Sequence, residues 1–430
     1  MQPKEILYIS YTGMTEPLGR SQVLNYLQGL SLSGKYRFTI LCLERPEFFE
    51  KEKEVIKKIC ADHHIEWHPL IYTNKWHVLS VLRRIWMLRT KARLLHKAKK
   101  FSIVHCRSYR SALVGLWMKE KMGTKFVFDM RGFWANERID GGIWKMSNPL
   151  YRWLYHYFKK KEIIFLENAD HIISLTENAR QEIFSWDLKR KSLPISVIPC
   201  CVDTDLFNPE NIRVELQDEL RQKLEIPANH LVISYLGSLG TWYMLDEMLS
   251  FLQSWLKQLP ESIFLFITNE PAEMIFVKAA ETGLDKKNLR VISVNRQKVP
   301  VFLSLSNYIL FFIKPAYSKK ASSPVKQGEI MALGIPVICN SNVGDTAEIV
   351  KKYHAGYVID ELNDAAFSTA IKELHTYEFN RHDIRKGAIE FFSLESGIEK
   401  YDKVYEAVLE NDEAAIKDNP ELIKLTSSLK

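Results

Sequence analysis

The sequence predicts an α/β protein of two domains, each a mostly parallel sheet with helices on both faces. Three observations carry this. Short apolar runs alternate with helix-like stretches through the first half, and the same rhythm restarts in the second, as crossover helices between parallel strands require. The halves meet near residues 194–212, which hold Pro194, Pro199 and Pro209. Ser322 to Cys339 reads as a loop, a short helix and a buried strand.

In chain order, Ile6–Ser10 is an apolar strand and Ser21–Leu32 a helical stretch. Phe38–Leu43, Ile103–Cys106, Lys125–Asp129 and His171–Leu175 are further strands, and Ser196–Pro199 closes the half. Leu231–Leu236, Ile263–Thr268, Leu289–Val294, Tyr308–Ile313 and Pro336–Cys339 are the strands of the second half. Phe392–Leu409 reads as one helix, and 410–430 as a polar tail or peripheral helix. The expected domains are therefore 1–195 and 196–391. Ligands of such sheets bind beyond the carboxyl ends of the strands, which puts the site in the cleft between domains.

Composition narrows the classes. With 46% apolar and 26% charged residues in 430, the chain is that of an ordinary globular protein. No apolar run approaches the roughly 18 residues of a membrane span. The first residues enter a strand directly, which reads as no signal peptide. Six cysteines without a C-x-x-C pair read as free thiols of a reducing cytoplasm. No pair of histidines has zinc spacing, and Asp203-Thr204-Asp205 reads as a turn; no metal and no cofactor are expected. The net charge of +7 is uneven: Lys75 to Lys100 holds nine Lys or Arg and no acid, interleaved with Trp76, Leu79, Leu82, Trp86, Leu88, Leu94 and Leu95. Residues 151–161 form a second basic aromatic run. Such segments suit an anionic membrane surface, or are core-packed helices with solvated basic faces. No nucleic-acid motif accompanies them, so no nucleic-acid partner is expected.

Residues 322–339 are the most informative stretch. Ser323 reads as an N-cap with Pro324 at the first helical position, and Gly334 as a left-handed stop. Lys326 then falls in the first helical turn, the unfavourable end for a cation unless an anion binds there. Glu329 shares its face three residues on; a carboxylate there can accept hydrogen bonds from two sugar hydroxyls. The helix end thus offers a phosphate and a ribose site side by side.

These pieces resemble, in family order, the family 4 retaining glycosyltransferases. Ile6 to Ser10 followed by Pro17 to Leu24 looks like the first strand and its glycine loop. Val197-Ile198-Pro199 with Val202 to Pro209 looks like the domain linker, and Ile233 to Leu239 like the first strand and turn of the nucleotide domain. Gly328 to Ile338 is the most specific match, and Phe392-Ser393 begins a helix that crosses back to the N-terminal domain. The resemblance implies the GT-B fold, two Rossmann-like α/β domains with an interdomain cleft and a C-terminal crossing helix, and sugar transfer with retention. It also exposes departures. Ala321 stands where many members have a Glu, Ser238 and Trp242 where they have an Arg and a Lys, and Cys200-Cys201 where an Asn-Gly is common.

The expected donor-binding residues are accordingly Gly19, Gly237, Ser238, Ser323, Lys326 and Glu329. Gly19 is expected to let the first loop approach the donor, and Gly237 and Ser238 to offer N–H and hydroxyl donors to the diphosphate. Asp129 to Trp144 is the second unusual patch, delivered by a strand end and dense in charge and aromatics. Asp129 and Arg131 are the expected catalytic pair, and Trp134, Glu137 and Asp140 the acceptor-binding residues; an internal network packing the loop is the structural alternative. Thr176 reads as a helix N-cap, and His105 as structural. The chain is thus expected to be a cytoplasmic, membrane-associated, metal-independent glycosyltransferase. Its donor is a nucleotide-sugar and its acceptor a saccharide or lipid-linked glycan. A non-catalytic nucleotide-sugar-binding scaffold is the alternative. A Rossmann oxidoreductase is disfavoured because no G-x-G-x-x-G follows the first strand.

Overall fold

The structure is a computed structural model that describes residues 2–72 and 79–417, and their side chains except at Leu79 and 411–417. The expected segments at 75–78 and 418–430 therefore lie outside the described residues.

Seven strands form the first sheet: β1 (Lys4–Ser10), β2 (Tyr36–Glu44), β3 (Glu66–Ile71), β4 (Ile103–Arg107), β5 (Lys125–Asp129), β6 (His171–Ser174) and β7 (Ile195–Val197). Their order is β3-β2-β1-β4-β5-β6-β7, every pair parallel. Six more form the second: β8 (Leu231–Leu236), β9 (Ser262–Ile267), β10 (Leu289–Ile292), β11 (Tyr308–Phe311), β12 (Val337–Asn340) and β13 (Gly356–Ile359), in the order β10-β9-β8-β11-β12-β13 and again parallel. Strand order reverses beside β1 and β4 in one sheet and beside β8 and β11 in the other. Open α/β sheets bind ligands at such switch points.

Period-two alternation explains how each strand serves two cores. In β5, Phe126 and Phe128 face the helices Ser108–Met122 and Pro149–Asn168, while Val127 joins the opposite cluster with Ile6, Tyr8 and Phe38. That second face is covered from the far end of the chain. The helix Leu394–Lys417 buries Tyr401, Val404, Tyr405 and Val408 there, one stripe at helical spacing. The helix continues eight residues past the expected boundary at Leu409, so the start of the expected tail is helical. It is pinned at its root, where Val202 N donates to Phe392 O and Leu394 N to Val202 O.

The domains are in direct contact. Glu177 N and Asn178 N donate to the carboxylate of Asp345 at 2.6 and 3.0 Å. Thr176 caps its helix as expected, accepting from Ala179 N, and its hydroxyl donates across the boundary to Lys320 O at 2.6 Å. Ala321 belongs to the second sheet's loops yet packs into the core of the first.

Candidate active site

The helix Val325–Ala332 follows β11 and begins one residue later than the sequence suggested. Pro324 is its N-cap, and the Ser323 hydroxyl caps nothing; it accepts from Cys200 N at 3.1 Å, tying the linker to the helix start. The cap assignment for Ser323 is corrected accordingly: proline fills the position with its fixed backbone angle, and the hydroxyl serves the domain junction. Gly334 takes the expected left-handed conformation, φ 68°.

Lys326 and Glu329 are buried, with 8% and 4% of their surface exposed. They form no ion pair with each other. Lys326 Nζ sits in an aromatic cage, 3.7 Å from the Tyr243 ring centre and 4.3 Å from that of Tyr235, with the Tyr235 hydroxyl at 3.2 Å. Burial pushes its amine well below the ordinary lysine value, and Glu329 only partly opposes this. Glu329 Oε1 instead stands 2.6 Å from Arg296 Nη2, without hydrogen-bond alignment. Sequence reasoning missed Arg296, which lies in a short turn after β10 with no motif around it.

Gly237 follows β8 with φ 112°, and a Cβ there would stand 3.2 Å from Lys326 Nζ. Only glycine suits this close approach. Its N–H donates to Ile267 O and Ser238 O accepts from Tyr235 OH. The expectation that Gly237 offers a free N–H is therefore corrected: the strand ladder has taken it. Ser238 is exposed, its hydroxyl unengaged by any recorded bond. Gly19 has a steric role of its own. It is helical, and a Cβ there would collide with Gly13 O at 1.9 Å, so its missing side chain admits the chain's own backbone.

Trp242 receives Lys319 Nζ at 3.7 Å from its ring centre. Lys319 is a buried lysine that also meets Glu137 of the first domain at 3.1 Å.

On the first domain, Asp129 and Arg131 lie deep at the carboxyl end of β5. Asp129 is 1% exposed, 3.9 Å from Arg131 Nη1 and 3.7 Å from His105 Nε2, and neither carboxylate oxygen has a hydrogen-bond partner. Burial pushes the carboxyl up, yet Arg131, His105 and Arg107 together outweigh it and hold it below the ordinary value. Arg131 adopts the left-handed region, φ 57°, and its Nη2 donates to Cys200 Sγ at 3.2 Å. Such a strained residue persists only where its surroundings over-determine it. The pair is buried together with His105 at the carboxyl end of β5.

The residues expected to bind the acceptor have partners within the protein. Glu137 Oε1 is 3.1 Å from Lys319 Nζ, and Asp140 Oδ2 accepts from Ser318 N at 2.9 Å, so both carboxylates bind the other domain. Trp134 has the guanidinium groups of Arg110 and Arg138 at 5.2 and 5.1 Å from its ring centre and makes T-shaped contacts with Trp144 and Phe158. Among the described residues no group of three His, Cys, Asp or Glu could hold a metal ion. Asp203 forms the expected turn, accepting from Asp205 N and Leu206 N. All six cysteines are free and buried.

Residues 21–206 match the family model described as Glycosyltransferase Family 4, and 217–391 the one described as Glycosyl transferases group 1. No curated protein matches in sequence. Solved structures match along nearly the whole chain. A glycosyltransferase from Rickettsia africae is 16% identical over 96% of this chain and 100% of its own, TM-score 0.70. Sucrose-phosphate synthase from Thermosynechococcus elongatus is 16% identical over 95% and 100%, TM-score 0.68. HepE from Anabaena, solved with UDP and glucose, is 13% identical over 94% and 100%, TM-score 0.66. At these identities the likeness carries the fold alone.

Proposed function

Matched through both of its sheet domains, the chain belongs to the GT-B glycosyltransferases of group 1, and from that premise we propose that it moves a sugar from a nucleotide-sugar donor to a saccharide or lipid-linked acceptor in surface glycan synthesis. The observation that carries the reading is the Lys326–Glu329 helix end at the β8/β11 switch point. There a buried cation without an anion and a buried carboxylate face the side of the sheet where nucleotides bind. A diphosphate supplies the charge Lys326 lacks, and ribose hydroxyls supply the donors Glu329 can accept. The Anabaena protein's complex with UDP supports a uridine donor.

In this reading transfer is metal-independent. The bond from the anomeric carbon to the diphosphate breaks, with Lys326 meeting the charge that develops. The acceptor oxygen bonds the same face, and its proton passes to the departing phosphate, which gives retention. Full activity in EDTA is the expected result. Thermal stability with UDP, GDP and ADP, wild type beside Glu329→Ala, tests the donor site. One nucleotide raises the midpoint in wild type only; no shift with any of them rejects the assignment.

The scaffold reading has one observation in its favour: Ala321 is packed into the other domain's core, with no carboxylate in the position many relatives fill with Glu. Slow donor hydrolysis without acceptor supports an enzyme; nucleotide binding without any turnover supports the scaffold.

No helix among the described residues is long and apolar enough to cross a membrane. The helix Leu79–Lys99 nevertheless leaves Leu82, Trp86 and Leu94 exposed among its basic residues, while burying Leu88, Ala92 and Leu95, and Pro149–Asn168 leaves Leu150 and Trp153 exposed. This pattern supports peripheral attachment to an anionic leaflet. Flotation with vesicles of one-third anionic lipid tests it, and absence of binding rejects it.

A further inference from the structure

The carboxyl ends of β1 and β4, the switch point of the first sheet, carry arginines that no carboxylate meets. Arg84 comes from the helix Leu79–Lys99, Arg110 from the first turn of Ser108–Met122 and Arg138 from Trp134–Asp140. They are threaded on aromatic rings. Arg84 lies 4.6 Å from the Tyr72 ring centre and 5.5 Å from that of Tyr11. Arg110 lies 4.6 Å from Tyr11 and 5.2 Å from Trp134, and Arg138 5.1 Å from Trp134. Each arginine shares a ring with the next, so three guanidinium charges stand in one row.

Among the described residues none of the three has an ion-pair partner within 4.0 Å. Nε of Arg110 and of Arg138 is buried and donates to nothing. Glu137, the chain neighbour of Arg138, is turned to Lys319. The surrounding sequence offers no relief, since 75–100 contains no acid. Burial pushes both Arg110 and Arg138 down from the ordinary arginine value, and Arg110 feels Arg138 and Arg84 as like charges. Arginine does not give up its proton to escape. Arg84 spends Nε and Nη2 on Ser80, at 3.0 and 2.8 Å, and keeps Nη1; stacking on rings holds the planes of Arg110 and Arg138 while leaving N–H edges to donate. A fold that keeps such a row at a switch point has placed it for an anion.

We infer that Arg84, Arg110 and Arg138 form an acceptor subsite for a phosphoryl or diphosphoryl group. One carboxylate satisfies one guanidinium fork, whereas a phosphoryl group brings three acceptor oxygens and up to two charges, the number and charge that a row of three demands. The inference rests on reading the chain as a transferase whose acceptor lies on the first domain, and it names the acceptor's chemistry. A lipid diphosphate and a soluble sugar phosphate share that chemistry.

The test uses the full chain carrying Lys326→Ala, which removes the donor-phosphate cation, titrated calorimetrically with inorganic pyrophosphate. One-site binding is expected, weakened at least tenfold when Arg110→Gln and Arg138→Gln are added, and unchanged by Glu329→Ala. No binding, or binding that the arginine variants leave intact, overturns the subsite. These variants remove unpaired buried charges, so a thermal midpoint at or above the parent's is expected and shows that they fold. Geranyl diphosphate binding tenfold tighter than glucose 1-phosphate assigns a lipid carrier, the reverse assigns a soluble phosphate, and parity assigns the phosphoryl group alone. Galacturonate binding in place of pyrophosphate overturns the phosphoryl assignment. The donor reading is judged separately by its UDP shift, so either can fail while the other stands.

Discussion

His105 and Tyr405 are 300 residues apart in the chain and 2.8 Å apart in the fold, imidazole Nδ1 against phenol oxygen. The other ring nitrogen faces the Asp129 carboxylate at 3.7 Å. Burial pushes His105 below its ordinary value, with Asp129 partly opposing this, which favours the neutral ring. The favoured arrangement puts its proton on Nε2, pointing toward Asp129 but beyond hydrogen-bond reach, with the Tyr405 hydroxyl donating to Nδ1. Tyr405→Phe leaves Nδ1 buried without a donor, at a cost of about 1–2 kcal/mol in urea unfolding. A loss below about 0.3 kcal/mol removes the bond from the account of the domain's stability.

Lys326 is costly in the unliganded protein, a buried amine among rings. Lys326→Met is expected to raise unfolding stability by about 1 kcal/mol while abolishing the midpoint shift with nucleotide. The same burial sets a proton linkage. The amine's pKa is lowered in the free protein and a diphosphate raises it, so donor binding takes up protons at pH values between the free and bound values. Affinity falls as pH rises. Calorimetry in two buffers of different ionisation enthalpy reads the uptake directly, and equal apparent enthalpies reject it.

Arg296 and a ribose compete for one carboxylate. The arginine is about half exposed, so its pairing with Glu329 contributes at most about 1 kcal/mol. Arg296→Ala is expected to tighten nucleotide binding by about fivefold and to lower the unliganded midpoint slightly, because Glu329 loses its counter-charge. Weakened nucleotide binding places Arg296 among the ligand's own contacts.

His171 gives the acid limb of stability. It lies on β6 with Nε2 2.9 Å from Ser196 Oγ, and burial, then Arg190, pushes its pKa from 6.5 down to about 4. Because the folded value is the lower one, the unfolded chain binds more protons between these limits, and stability is lost as pH falls from 6.5 toward 4. The loss is about 2 kcal/mol after allowing for partial exposure. His171→Asn flattens that part of a stability–pH profile measured by urea unfolding.

Eleven of the thirteen strands were legible from apolar runs alone. The two that were not, β3 and β13, are edge strands. Glu66–Ile71 is half-buried with Pro69 inside it, and Gly356–Ile359 is four residues long and begins with glycine, so neither has the dense apolar pattern of a strand covered on both faces. The helix holding Lys326 and Glu329 was legible because proline and glycine punctuate it. Arg296 and Lys319 were not, since their roles come from loops brought together by the sheet's order. The acidic and aromatic residues at 129–140 were visible as a group, but no spacing rule says that Glu137 and Asp140 reach across to Lys319 and Ser318 instead of outward to a ligand.

The last helix has a consequence for how the chain is made. The first sheet is synthesised within about two hundred residues, but the face holding Tyr8, Phe38 and Val127 is sealed by Tyr401, Tyr405 and Val408. During translation at about 5–20 residues per second, the part of that face under the last helix stays uncovered for roughly 10–40 s, while Leu27, Leu30 and Ile56 already pack on the rest. Until then the nascent N-terminal half exposes apolar side chains that the finished chain buries, and a chain released early lacks the helix that covers them.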